Sequence, residues 1–174
     1  MDLLLGPWKN RFDLIIFVSP TIHLQQEVWE ELDGTGIMTT TSLEPELVQR
    51  LKEFMIMEEN KEKEALLVLD DLSYQTRDKK KADVIDEVAF IGRHLRISVV
   101  ALVQKLTLLS PSFRSQLDSL YLFHIANIRE LAMIHMEMSC TETFGELKKR
   151  IWALKKYQLV VLDNCHGRIH YNPV

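Results

Sequence analysis

Cysteine is scarce in this chain. Cys140 and Cys165 are the only two in 174 residues, neither has a CxxC neighbour, and neither a disulfide framework nor zinc-ligand spacing can be built from them. Both read as free thiols suited to a reducing compartment. Long apolar runs are missing as well: the longest, such as residues 14–18 and 99–103, fall far short of the roughly 20 residues that a bilayer span needs. A soluble protein is expected. Residues 1–6 hold three leucines but no basic n-region and no cleavage pattern, which argues against secretion. No Pro- or Ser-rich stretch marks a linker, and neither an internal repeat nor a low-complexity tract occurs. Residues 1–174 are therefore expected to form one domain.

Net basicity is also lacking, with a formal charge of -4. A protein that coats nucleic acid over its whole surface needs clustered Lys and Arg to neutralise phosphates, so any DNA contact here must be local. Two clusters are available: Arg77 with Lys79, Lys80 and Lys81, and Lys148, Lys149 and Arg150 with Lys155 and Lys156. Each reads first as a solvated loop or helix face.

What the chain does contain is material for a core, 47% apolar against 26% charged residues, as in soluble globular proteins. Residues 12–19 form a continuous apolar run rich in Ile, Phe and Val that ends at Pro20, the pattern of a strand buried on both faces. Residues 22–32 follow at helical spacing, and Gly34 and Gly36 punctuate a turn. Leu43, Leu47, Leu51, Phe54 and Met55 make a helical stripe with Ser42 placed to cap it, and charged residues 58–64 close that helix. A second buried strand, 65–69, runs directly into Asp70 and Asp71. Val84, Ile85, Val88, Ala89 and Ile91 make another helix face, ended by Gly92.

A third strand spans 97–103 and stops at Gln104. Ser110-Pro111 opens a helix, 120–125 reads as a fourth strand and 130–138 as a helix. Thr143 and Glu146 offer a capping box for the next helix. Residues 159–162 and 168–171 flank the turn 163–167 as a hairpin. Buried strands alternating with amphipathic helices imply βαβ units, hence an α/β fold with a mostly parallel sheet covered on both faces.

Chemistry in such sheets collects where strands end, because the loops there open into a crevice at the carboxyl edge. The apolar strand that delivers Asp70 and Asp71 has the form of a Walker B motif: the first acid helps hold a hydrated Mg²⁺ and the second orients and deprotonates an attacking water. Gln104, at the end of the next strand, has an amide that can both donate to a γ-phosphate and accept from water. Arg114, with Arg93 as its rival, is a candidate to neutralise charge in a neighbour's phosphoryl-transfer site. Cys165, His166 and His170 match no standard metal site and read as a hairpin tip. No GxSxG segment occurs, and the order of the acids does not fit a receiver domain.

These segments resemble the FtsK–HerA superfamily of P-loop ATPases, and specifically the genome-packaging ATPases of poxviruses, other large DNA viruses and Polinton/Maverick and adinto-like elements. The resemblance is carried by residues 12–21 (FDLIIFVSPT), 67–71, Gly92-Arg93-His94 before 97–100, Gln104, and Ser112-Phe113-Arg114. It implies a three-layer, RecA/FtsK-like sheet with a C-terminal β-hairpin. It also implies ATP and Mg²⁺ as ligands, with Asp70 as the metal-linked acid, Asp71 as the water-activating acid, Gln104 as the sensor, and Arg114 or Arg93 as the arginine finger. Double-stranded DNA and capsid components would be the partners, a homo-oligomeric ring the working form, and virion assembly sites in the host nucleus or cytoplasm the location.

One departure from the family qualifies all of this. Its members carry GxxxxGK[ST] on a strand and helix upstream of the segment matching Phe12, and these 174 residues contain none. The expectation is an incomplete P-loop domain, beginning inside the helix that follows the phosphate loop, with residues 3–9 as its tail. Such a chain has no cofactor-binding loop of its own, is inactive in isolation, and leaves unpaired backbone on the neighbours of the missing strand. The competing expectation is a non-catalytic paralogue that keeps the fold as an interaction module.

Overall fold

The computed structural model describes residues 10–25, 36–71, 78–138, 142–166 and 168–172. The proposed N-terminal tail at 3–9, most of the helix expected at 22–32, Arg77 and Cys140 lie outside them. Contacts divide the chain into two compact units, Met1–Gln104 and Lys105–Val174.

In the first unit four strands, β1 (Leu14–Val18), β2 (Ile37–Thr40), β3 (Ala65–Asp70) and β4 (Ile97–Leu102), form a wholly parallel sheet in the order β2-β1-β3-β4. The central pair, β1 and β3, is nearly continuous in Ile, Leu and Val because both faces are covered: Val18, Leu67 and Leu69 are completely buried. Alternation sends Ile15, Phe17, Leu66 and Val68 to one face, where Phe12, Ile37 and Val100 pack against them. The helices α1 (Pro45–Ile56) and α2 (Lys79–Ile91) flank the sheet, burying Val48, Leu51 and Met55 from the first and Val84, Ile85 and Val88 from the second. Val48, Leu51 and Met55 recur at three- and four-residue spacing, and Val84 and Ile85 lie four and three residues before Val88, so each helix lays a single stripe on the core.

β4 behaves differently from β3. Among the described residues it pairs with β3 alone, and its six apolar or small residues are mostly half-exposed, with Ser98 and Leu102 exposed. An apolar strand with an open edge is a surface that accepts another strand.

Several local expectations need correction. The fourth parallel strand is β2, which the turn signals at Gly34 and Gly36 hid. The segment expected at 120–125 is instead β5 (Ser119–Leu122), and it pairs antiparallel in the other unit. Ser42 does not cap α1: the N-cap is Glu44, which makes no side-chain cap bond, Pro45 supplies the first turn, and the Ser42 hydroxyl donates to the Glu44 carboxylate. Gly92 does end α2, as expected, but with φ -52° the chain continues into a 3₁₀ turn, Gly92–Leu95. The left-handed residue is Arg96 (φ 56°), whose guanidinium donates to the carbonyls of Met55 (3.0 Å), Lys63 (3.1 Å) and Asn60 (3.4 Å).

Glycine is nevertheless required at 92, because a Cβ there would lie 2.7 Å from the Ile97 carbonyl oxygen. Gly92→Ala is expected to destabilise the first unit by about 1–3 kcal/mol, the usual cost of forcing a methyl into packed backbone. Urea titration checks this, and an unchanged midpoint would mean that the turn into β4 gives way freely.

The second unit contains the short helix α3 (Pro111–Arg114), β5, α4 (Ile128–Glu137), α5 (Phe144–Ala153), β6 (Leu159–Asp163) and β7 (Arg168–Asn172). Its sheet is antiparallel, in the order β5-β6-β7, and includes the expected hairpin. Two of its helix starts follow the sequence signals: Ser110 accepts from Phe113 N–H, and Thr143 with Glu146 forms a full capping box. The helix expected at 130–138 begins earlier, at Ile128, where Asn127 accepts from Arg129 and Glu130 N–H. Hydrogen bonds from Thr143 hold the Glu146 carboxyl below its ordinary range. Phe113, Leu131, Ile134, Leu147, Ile151, Val160 and Leu162 form the buried core of this unit. No described helix is long and apolar enough to cross a membrane.

Candidate functional site

Because β1, β3 and β4 run in one direction, the residues that follow them emerge along one edge of the sheet. Val18 pairs with Leu69 and Asp70 with Leu102, so Ser19, Asp70 and Asp71 and then Gln104 follow neighbouring strand ends in spatial order. Gln104 lies two residues beyond Leu102 and is exposed. The two acids and the glutamine are thus brought to a common rim by adjacent parallel strands.

Ser19 is the residue that sequence reasoning missed. It is fully buried, its N–H donates to the Thr40 carbonyl at 2.9 Å, and its hydroxyl donates to Asp70 Oδ2 at 3.0 Å and lies 3.1 Å from Thr21 Oγ1. A hydroxyl at the end of an otherwise apolar buried run was the available signal, since a buried polar side chain must find a partner. The bond to Ser19 fixes the half-buried Asp70 carboxylate.

Asp71 takes φ 46°, a left-handed conformation that short polar residues adopt more readily than others, while its N–H donates to the Leu102 carbonyl at 3.2 Å. The backbone therefore keeps a tie to β4 at the second acid.

The donors at this rim are hard oxygens. Among the described residues no cluster of three or more His, Cys, Asp or Glu could cage a metal. One or two carboxylates with room for water suit Mg²⁺, which keeps several waters and completes its octahedron with substrate phosphates. Asp70 and Asp71 fit that ion; they do not fit a structural zinc.

The two arginine candidates are placed differently. Arg93 lies in the 3₁₀ turn that precedes β4, hence at the opposite edge of the sheet from Asp70, and a six-residue strand spans roughly 17 Å. Arg114 belongs to the second unit, where its Nε and Nη2 donate to the two carboxylate oxygens of Glu137 at 2.6 and 2.7 Å, and its Nη1 donates to the Leu109 carbonyl. These hydrogen bonds raise the Arg114 pKa further and hold the Glu137 carboxyl below its ordinary range.

At the β6–β7 turn, Asp163 accepts from the N–H groups of Cys165 (3.0 Å) and His166 (3.1 Å) and lies 2.8 Å from His166 Nδ1, while the Cys165 thiol donates to Asp118. The His166 contact holds the Asp163 carboxyl below its usual value. The polar groups of this turn bond one another, as a hairpin tip requires.

Comparison with known proteins agrees with the sheet. The model of the family described as Poxvirus A32 protein matches residues 32–162, well over half of the chain. Among solved structures, the fold is similar to B204, the DNA-packaging ATPase of Sulfolobus turreted icosahedral virus (TM-score 0.70, 17% identity, covering 99% of this chain and 86% of that one). It is also similar to the B204 genome-packaging NTPase of Sulfolobus turreted icosahedral virus 2. With AMPPCP that protein matches at TM-score 0.66 and with ATP-gammaS at 0.67, each at 17% identity and covering 99% of this chain and 90% of that one. No curated protein sequence matches the chain. On the extent of the family match, with its parallel sheet sharing the fold of the viral packaging ATPases, this chain belongs to the poxvirus A32 protein family.

Proposed function

We propose that this chain contributes the metal-binding and water-activating half of an ATP-hydrolysing motor that drives double-stranded viral DNA into a capsid. The observation that carries the proposal is the convergence of Asp70, Asp71 and Gln104 at one rim, on adjacent parallel strands. Asp70, fixed by Ser19, would hold Mg²⁺ through water, and the ion when bound supplies positive charge to the phosphates. Asp71 accepts the proton of the attacking water. The Gln104 amide orients that water or the γ-phosphate.

Phosphoryl transfer asks little covalent chemistry of a protein, so positioning by rigid strand ends is the main requirement. The edge of β4 that has no strand partner among the described residues supports the same reading, because a parallel strand added there would deliver a phosphate-binding loop to this rim. An arginine from a neighbouring subunit, Arg93 or Arg114, would complete the site in a ring. The work would take place where virions assemble, in the nucleus or cytoplasm of the host cell, with capsid components as further partners.

The test is ATP turnover by the full chain in its native assembly as Mg²⁺ is varied. Asp70→Asn is expected to raise the Mg²⁺ needed for half-maximal rate, and Gln104→Ala to lower the maximal rate by roughly ten-fold or more, in line with losing one positioned polar contact in a transition state. Rates and Mg²⁺ dependence unchanged in both variants would leave the chain a non-catalytic interaction module.

A further inference from the structure

We propose that Lys148, Lys149, Lys155 and Lys156, with Trp152 and Tyr157, form a docking surface for the sugar-phosphate backbone of duplex DNA. The segment from α5 to the start of β6 holds no acid at all between Glu146 and Asp163, in a chain whose net charge is -4. Arg150 is taken up by Glu142 at 2.9 Å, but among the described residues none of the four lysines makes an ion pair with a carboxylate. The other basic run differs: Lys79, Lys80 and Lys81 are flanked by Asp78, Asp83, Asp86 and Glu87, and Lys81 is bridged to Glu44 at 2.9 Å. The α5 cluster therefore presents basic charge along a stretch of sequence with no acid in it.

The aromatic residues are arranged with that charge. Lys148 Nζ lies 4.5 Å from the centre of the Trp152 ring and Lys156 Nζ 4.8 Å from that of Tyr157, while Trp152 Nε1 donates to the Ile125 carbonyl and is fixed in place. Both rings are exposed, Tyr157 to 70%. The turn that carries Tyr157 has φ 69°, a conformation that Gly or Asn adopts at less cost than a bulky residue. Asp71 and Arg96, the other non-glycine residues with positive φ among the described residues, have partners that explain the strain. Tyr157 stays largely exposed despite its strain, and backbone strain of this kind collects at binding sites. A groove of about 360 Å³ runs beside it, lined by Phe123, His124 and residues 154–158.

Polyanion binding follows from the charge, and the choice of duplex rests on the packaging reading together with the ring geometry. An unpaired base would stack on an open aromatic face, but a lysine already covers one face of each ring. That favours a phosphate track over a stacking platform.

The experiment measures binding of the full chain, without nucleotide, to a short duplex and to the matching single strand across a salt series. Lys155→Ala/Lys156→Ala is expected to weaken duplex binding about ten-fold at low salt, for any sequence, and to reduce the slope of log K against log salt by about 2. Lys79→Ala/Lys80→Ala should leave both unchanged, and Tyr157→Asn, which suits the turn, should weaken binding without unfolding the chain. An unaltered slope in the Lys155/Lys156 variant overturns the proposal. So does tighter binding of the single strand that vanishes in Trp152→Ala/Tyr157→Ala. Since no nucleotide is present, these outcomes are independent of Asp70, Asp71 and Gln104, and failure of the motor reading is scored separately on turnover.

Discussion

Asp71→Asn is expected to lower ATP turnover of the full assembly by about a hundred-fold or more, the lower range for removing a positioned general base, with the thermal unfolding midpoint close to the parent's. The asparagine is the informative replacement. It preserves size, it tolerates the left-handed φ of 46°, and it keeps the N–H that donates to Leu102. It cannot accept the proton of the attacking water. Asp71→Ala would confuse the matter, because alanine at positive φ adds backbone strain of its own. A variant that turns over at the parental rate would remove Asp71 from the chemistry and leave its conformation as a structural turn.

The parts of this protein that the sequence exposes are those written in contiguous residues. The runs that became β1 and β3 admitted no other role, because strands covered on both faces have no polar positions. The acids that end β3 were legible for the same reason: carboxylates directly after five buried apolar residues must lie where the strand reaches solvent. Caps spanning three residues, such as Thr143 with Glu146, were equally plain.

What was hidden depends on partners distant in the chain. Ser19 meets Asp70 across 51 residues and Arg114 meets Glu137 across 23, and no spacing rule announces either pair. β2 is four residues long and half-exposed, so periodicity had little to work with. β5 was recognisable as a strand, but apolar alternation does not tell a parallel neighbour from an antiparallel one. Gly92 was legible as the end of α2, but its constraint, the Ile97 carbonyl five residues on, was not.

Arg114→Ala is expected to destabilise the second unit by about 2 kcal/mol and to be matched by Glu137→Gln, with strong coupling between them in a double-mutant cycle. Exposed ion pairs contribute about 0–1 kcal/mol and breaking fully buried ones costs about 3–5 kcal/mol. This pair lies between, with the arginine side chain 11% exposed and the glutamate 35%. The bidentate geometry and the third bond to Leu109 place it above the exposed class, and Arg114→Lys should recover only part of the loss because an ammonium cannot reproduce the fork.

The pH dependence has a definite sign. Hydrogen bonds from Arg114 hold the Glu137 carboxyl below its ordinary range, so the unfolded chain takes up the proton first as pH falls. The contribution of the pair is then complete above the ordinary glutamate range and is lost as pH drops through the lower folded value. The stability gap between parent and Glu137→Gln should accordingly close in acid. An arginine finger behaves otherwise: its removal spares stability and suppresses turnover. If Arg114→Ala unfolds at the parental midpoint but loses turnover while Arg93→Ala does not, the pairing with Glu137 is a resting arrangement and Arg114 is the finger. If stability falls as expected, Arg114 is a strut of its own unit and Arg93 inherits the role.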